Sequence, residues 1–278
     1  MLLPSNFQFS QSNLQDFSDC PRRFQLKYIN QLSWPAVEAE PALKNERLLI
    51  LGNNFHKLAQ QHFLGVPKED LNAIAGKNEH LSKWLEHFLI YQSQITHKST
   101  QLFPEISLSA PIADYRLFAK FDLLSVDPEN HLIIYDWKTS RNLPKRAWLQ
   151  NRLQTHVYPY ILVRSANSIP LLDEVSPDKI NMVYWFSNHP SEPVHFRYDT
   201  KQFKRDDSFL TKLVKQVEAL HSEDAAALTA DLKLCEYCVY RSLCNRGIEA
   251  GSSDEMDLPD DYEIGIDFNF EQIAEIEF

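Results

Sequence analysis

FAKFDLLSVD, residues 118–127, runs through the turn residues Pro128, Glu129 and Asn130 into HLIIYDWKTS, residues 131–140. Both flanks are rich in aliphatic and aromatic residues, and the Asp127-Pro128-Glu129-Asn130 segment between them reads as a tight turn. Two adjacent strands are predicted, Arg116–Val126 and Leu132–Lys138. Asp122 lies on the first, and Asp136 and Lys138 lie on the second. Residues two apart on a strand point to one face. Aspartate is disfavoured inside strands, yet Asp136 follows Leu132, Ile133, Ile134 and Tyr135. A carboxylate so placed needs an ion-pair partner or a metal.

Outward from this hairpin, residues 10–29 read as a helix with Ser10 or Ser12 as N-cap and an apolar stripe of Leu14, Phe17, Phe24 and Tyr28. Residues 33–45, with Pro35 and Pro41, read as a loop. Helices are predicted over 46–64 and near 79–97, and a strand over Glu105–Ile112. A helix over 145–164 carries Pro159 as a kink. Strands at Lys179–Phe186 and Val194–Tyr198 and a helix over 201–222 complete the order. Helices, three strands, a helix, two strands and final helices make an α/β chain with no internal repeat.

Charge is distributed unevenly. The formal net charge is −10, but eleven of the 38 acids lie beyond Arg246, where there is no Lys or Arg. The other 27 acids face 28 bases, so residues 1–248 are nearly neutral, which is compatible with a local basic groove. The acidic segment 249–278 alternates Tyr262, Ile264, Ile266, Phe268 and Phe270 with polar residues. That pattern fits a solubilising tail, a strand docking on a partner's sheet, or a mimic of nucleic acid lying in the chain's own groove. No secretory signal and no membrane-length apolar run is present, which predicts a cytoplasmic protein.

Several side chains can carry chemistry. Asp122 and Asp136 can hold Mg²⁺ or Mn²⁺ through oxygen, and Lys138 can stabilise negative charge developing at phosphorus. The same trio also fits a plain salt bridge. Gln154 and Tyr158, four apart in RLQTHVYPY, share a helix face that directly follows the strand of Asp136. His56 in LGNNFHKLAQ is a candidate Mn²⁺ ligand. Arg141, Lys145, Arg146 and Arg152, with Trp148 among them, are candidate contacts to phosphates and bases. The four cysteines are Cys20 and the group Cys235, Cys238 and Cys244. One plus three thiols in a cytosolic chain suits an iron–sulfur cluster better than disulfides or zinc.

The segment SQSNLQDFSDCPRRFQLKYI, residues 10–29, resembles the opening helix of RecB-like PD-(D/E)xK nucleases that carry a cluster. It is similar to AddB-type helicase–nuclease subunits and to CRISPR-associated RecB-like exonucleases. GNNFHK, FAKFDLL, YDWKTS, LQTHVY and CEYCVYRSLC follow in the family's order, so the resemblance spans residues 10–247. It implies a restriction-endonuclease-like α/β fold, a mixed central sheet flanked by helices, with the termini joined by an Fe–S cluster. Residues 1–248 would form the nuclease domain and 249–278 an acidic tail.

The implied activity is Mg²⁺- or Mn²⁺-dependent DNA cleavage, as a single-stranded DNA exonuclease of repair or recombination. Alternatives are a CRISPR spacer-processing nuclease acting in a complex and a non-catalytic DNA clamp. The resemblance implies metal ligation by His56, Asp122 and Asp136, catalysis by Lys138, and support from Gln154 and Tyr158. It also implies a 4Fe–4S cluster on Cys20, Cys235, Cys238 and Cys244. Glu105 matches a less constant acidic position. The family pattern permits Asp or Glu at position 136. There is no G-x-x-x-x-G-K-[ST] loop, so a helicase or CRISPR/repair partner would supply any motor. By analogy with disulfides, a cluster closing so long a loop would contribute about 4–5 kcal/mol.

Overall fold

The structure, a computed structural model, describes residues 3–4, 6–32, 42–170, 172, 174–220 and 225–249. The loop expected over 33–45 lies outside these residues up to 41, and the backbone is already helical from Ala42. The acidic tail lies outside them from 250 onward.

The chain opens with β1 (Gln8–Ser10) and α1 (Gln11–Asp19). Ser10 and Asn13 form a reciprocal capping box at the start of α1, satisfying donors the first turn would leave open. The single helix expected over 10–29 breaks at Cys20, which is extended, before α2 (Pro21–Phe24) and a π-turn at Gln25–Ile29. Pro21 is the cause, since a residue before proline is pushed out of helical geometry. Helices α3 (Ala42–Phe63), α4 (Lys68–Ala75) and α5 (Glu79–Lys98) follow.

The central strands are β2 (Gln101–Pro104), β3 (Ser107–Ile112), β4 (Tyr115–Lys120), β5 (Leu123–Val126) and β6 (Leu132–Lys138). The strands expected as Glu105–Ile112 and Arg116–Val126 are each interrupted. Glu105 takes a left-handed φ of 55°, and opposite it Phe121 and Asp122 leave the ladder. Backbone bonds Glu105 N→Asp122 O (3.0 Å) and Phe121 N→Ile106 O (2.9 Å) hold the two bends against each other. One long hairpin thus feeds two sheets, where one central sheet was expected. The first has the order β1-β4-β3.

Beyond β6 the predicted helix 145–164 divides at Arg152 into α6 (Arg146–Asn151) and α7 (Leu153–Ser165), and α7 runs through Pro159. Strands β7 (Ile180–Phe186) and β8 (His189–Arg197), α8 (Thr200–Glu218) and the short α9 (Lys233–Glu236) complete the chain. The second sheet has the order β2-β5-β6-β7-β8, with β6 and β7 parallel and the other pairs antiparallel. No helix among the described residues is long and apolar enough to cross a membrane.

Strand β6 is the middle of five and is covered on both sides. Leu132 and Ile134 pack with Leu153, Val157 and Ile161 of α7, Leu14 and Phe17 of α1, and Leu210 and Val214 of α8. Tyr135 and Trp137 face the opposite layer with Phe55 of α3, Leu71 of α4, and Trp84 and Phe88 of α5. This explains why β6 reads as a continuous apolar run with a polar end. Ile134 is fully buried in the first layer, so Ile134→Ala is expected to cost about 2–5 kcal/mol. A lower urea midpoint at unchanged m-value would show it.

Candidate active site

Two residue groups meet at the C-terminal end of β6. The first is a closed triangle on the α7 side. Lys138 Nζ lies 2.9 Å from Asp136 Oδ2 and donates to Gln154 Oε1 at 3.1 Å. Gln154 Nε2 donates to Asp136 Oδ1 at 2.5 Å. The exposures of Asp136, Lys138 and Gln154 are 3%, 6% and 2%. So little water reaches them that each charge depends on the other and on the amide bridging them.

The second group sits where the hairpin bends. His56 of α3, Glu105 and Asp122 bring potential ligand atoms within 4.8 Å of one another. His56 Nδ1 is 3.1 Å from Asp122 Oδ1. The other Asp122 oxygen, Oδ2, accepts the backbone N–H of Trp137 at 2.7 Å. The ladder between β5 and β6 ends at Leu123 and Tyr135, so the Asp122 carboxylate takes the place of a missing strand partner. Lys120 pairs with Glu105 from the neighbouring strand.

Burial alone would raise the Asp122 pKa. The charge and hydrogen bond of His56, the Trp137 N–H and Lys138 outweigh it and hold the carboxyl below its ordinary value. Glu105 moves the other way: burial and the adjacent Asp122 carboxylate raise it, against the opposing pull of Lys120 and His56. Two acids crowded beside an imidazole favour a divalent cation.

Local packing explains these positions. Gly52, one turn before His56, leaves space for the strand end: a Cβ there would meet Thr139 Oγ1 at 3.2 Å. α3 can therefore lie close against β6. Asn188, in the turn after β7, donates to the carbonyls of Thr139 (3.0 Å) and Ser140 (3.1 Å) and accepts from Trp84 of α5. Tyr158 is buried against Phe121, with ring centroids 4.9 Å apart, beneath the bend that carries Asp122.

Of the ligands expected from sequence, His56 and Asp122 come together. Glu105 lies with them, and Asp136 pairs with Lys138 in the triangle. Sequence reading held Glu105 only loosely, because the signal that marks it is its left-handed backbone, which is invisible in a strand-like string. Arg141, Lys145, Arg146 and Trp148 are exposed near the strand end, and Arg152 is half-buried. Arg152 lies over the Trp148 ring at 4.9 Å and Arg146 over Phe196 at 4.4 Å.

A sequence model of the PD-(D/E)XK nuclease superfamily matches residues 8–245. The chain belongs to that superfamily. No curated protein matches it. Among solved structures it is similar to a "Putative exonuclease" from Eubacterium rectale, at 10% identity over 89% of this chain and 91% of the other, with a TM-score of 0.53. That likeness shows a shared fold. A match to the structure of SSO0001 has 13% identity, covers 71% of this chain and 96% of the other, and has a TM-score of 0.38.

The four cysteines of this nuclease also converge. Cys20 at the α1–α2 break, Cys235 on α9, Cys238 and Cys244 line one cavity with Arg23 and Arg246. Burial raises the Cys238 and Cys244 thiols, and the neighbouring cysteine sulfurs add to the shift. Arginines oppose it: Arg23 acts on Cys238, and Arg22 and Arg246 act on Cys244. Arg246 Nη1 also lies 3.6 Å from Cys235 Sγ.

The His56–Glu105–Asp122 cluster predicts its own titration result. Loss of an outer-shell partner alone commonly weakens metal binding 10–100-fold, so Glu105→Gln, which removes a ligand, should weaken Mn²⁺ binding by more than about tenfold. Isothermal titration with the intact chain checks this, and equal affinities would remove Glu105 from the site.

Proposed function

We propose that this nuclease is a Mg²⁺- or Mn²⁺-dependent deoxyribonuclease that removes nucleotides from single-stranded DNA ends. The observation that carries the reading is the placement of His56, Glu105 and Asp122 beside the buried Lys138–Asp136 pair. A divalent ion held there would supply Lewis acidity and a water of lowered pKa. Asp136 is a further proposed ligand, next to that cluster and already aligned by Gln154. Lys138 is the proposed cation for charge developing on the scissile phosphate, and Gln154 keeps its ammonium oriented. Exclusion of water strengthens its attraction for charge developing on phosphate oxygens. Tyr158 supports Asp122 through Phe121.

Single-stranded DNA is favoured by the exposed Trp148 and the basic residues around it. A splayed base stacks on an indole without regard to sequence, while Arg141, Lys145 and Arg146 hold phosphates. No feature for reading base edges accompanies them, so binding is expected to be sequence-tolerant and salt-sensitive. Lys138→Ala should lower the rate on end-labelled single-stranded DNA with Mn²⁺ about 10²–10³-fold. Equal degradation by both proteins would remove Lys138 from the chemistry.

The cysteine cavity is proposed to hold a 4Fe–4S cluster. Four thiolates ringed by arginines suit an anionic cluster. Anaerobically purified protein should contain about four irons per chain and absorb visibly, and Cys235→Ser should lose both. Stoichiometric zinc without iron would overturn the assignment.

A further inference from the structure

Helix α7 begins without a cap of its own. Its N-cap position is Arg152, whose side chain makes no capping hydrogen bond, although the first N–H groups of a helix need acceptors. The acceptor comes from 138 residues away: Leu153 N donates to Gln15 Oε1 at 3.0 Å in a fully buried contact. The other end of the same amide, Gln15 Nε2, donates to Asp19 Oδ1 at 2.7 Å. Asp19 Oδ2 in turn accepts from Arg23 Nη2 at 2.9 Å, and Arg23 lines the cysteine cavity. On the far side, the residue after Leu153 is Gln154, which bridges Asp136 and Lys138.

We propose that Gln15 is a positioning residue of the active site, tying the cysteine-bearing N-terminal segment to the first turn of α7 and thereby fixing Gln154 between Asp136 and Lys138. The amide suits this task. It accepts from a backbone N–H at one end and donates to a carboxylate at the other, so its orientation is set by both partners. With Gln15 only 9% exposed and Leu153 2% exposed, water is a poor substitute for either contact. Anything that binds the cysteines and steadies Cys20 and Arg23 steadies the start of α7 as well, and the coupling is reciprocal.

This inference rests on the reading of Lys138 and Asp136 as the reacting pair, and the test separates the two. Gln15→Met keeps the length and removes both hydrogen bonds. Gln15→Glu combined with Asp19→Asn keeps an acceptor for Leu153 N–H and a hydrogen bond to residue 19, without setting two carboxylates in contact. Both full-length proteins are compared with wild type and Lys138→Ala on a single-stranded oligonucleotide with Mn²⁺, alongside amide exchange of residues 153–155. Gln15→Met is expected to lower kcat about 10- to 100-fold, because small misplacements of catalytic groups are costly. Its KM should stay within about twofold of wild type, the signature of a lost transition-state interaction. Exchange at 153–155 should accelerate about tenfold in that variant, and the Gln15→Glu, Asp19→Asn pair should restore most of both properties.

Unchanged exchange and kcat in Gln15→Met would overturn the proposal. So would a loss of kcat that merely follows the folded fraction measured by circular dichroism. Full activity in Lys138→Ala would instead sink the active-site reading, while the exchange data would still report whether Gln15 caps α7.

Discussion

Asp136 and Lys138 are buried side by side on the middle strand of a five-stranded sheet, where either charge alone would cost several kcal/mol. Their mutual attraction offsets part of that cost, and the Gln154 amide offsets more by serving both ions at once. The arrangement demands that α7 start at a fixed point beside the end of β6. It also demands walls on both sides, which the two helical layers provide. The same dryness that makes the pair costly makes its field strong, so the burden on stability and the capacity for catalysis share one origin.

The His56–Glu105–Asp122 cluster arises from a defect in pairing. In an unbroken hairpin Glu105 and Asp122 would stand directly opposite each other, because the registers on either side of the bend agree (Pro104 with Leu123, Ser107 with Lys120), and both backbones would be held in the ladder. Instead the two strands bend at the same level, Glu105 adopts a left-handed backbone, and the hairpin passes from one sheet to the other. Such strain persists only where surrounding contacts over-determine it. Here the paired backbone bonds across the bend and the Asp122–Trp137 contact do so. The acids are thereby released from the ladder and gathered against His56.

Pro21 breaks the first helix and places Cys20 with the C-terminal cysteines around one cavity. Cys20 lies between α1 and α2 and the other three thiols lie on and after α9, with β2 to β8 between them in sequence. A group bound by all four would close a long loop of the chain and would hold the short α9 and the turns after it.

Much of this was legible in the residues. The limits of β6 follow directly from the apolar run Leu132–Lys138, and the Asp127–Asn130 turn forms as its composition implies, with Asp127 Oδ1 accepting from Glu129 N and His131 N. Local pattern also placed Asp122, Asp136, Lys138 and Gln154 on neighbouring elements. The sequence by itself therefore determined which side chains are available and which strands carry them, because periodicity and turn chemistry act over a few residues. Only tertiary structure decided that the hairpin splits into two sheets, that Glu105 joins His56 and Asp122, and that Gln15 caps a helix 138 residues away. Those outcomes depend on satisfying buried polar groups across distant segments, and no short-range pattern encodes that requirement.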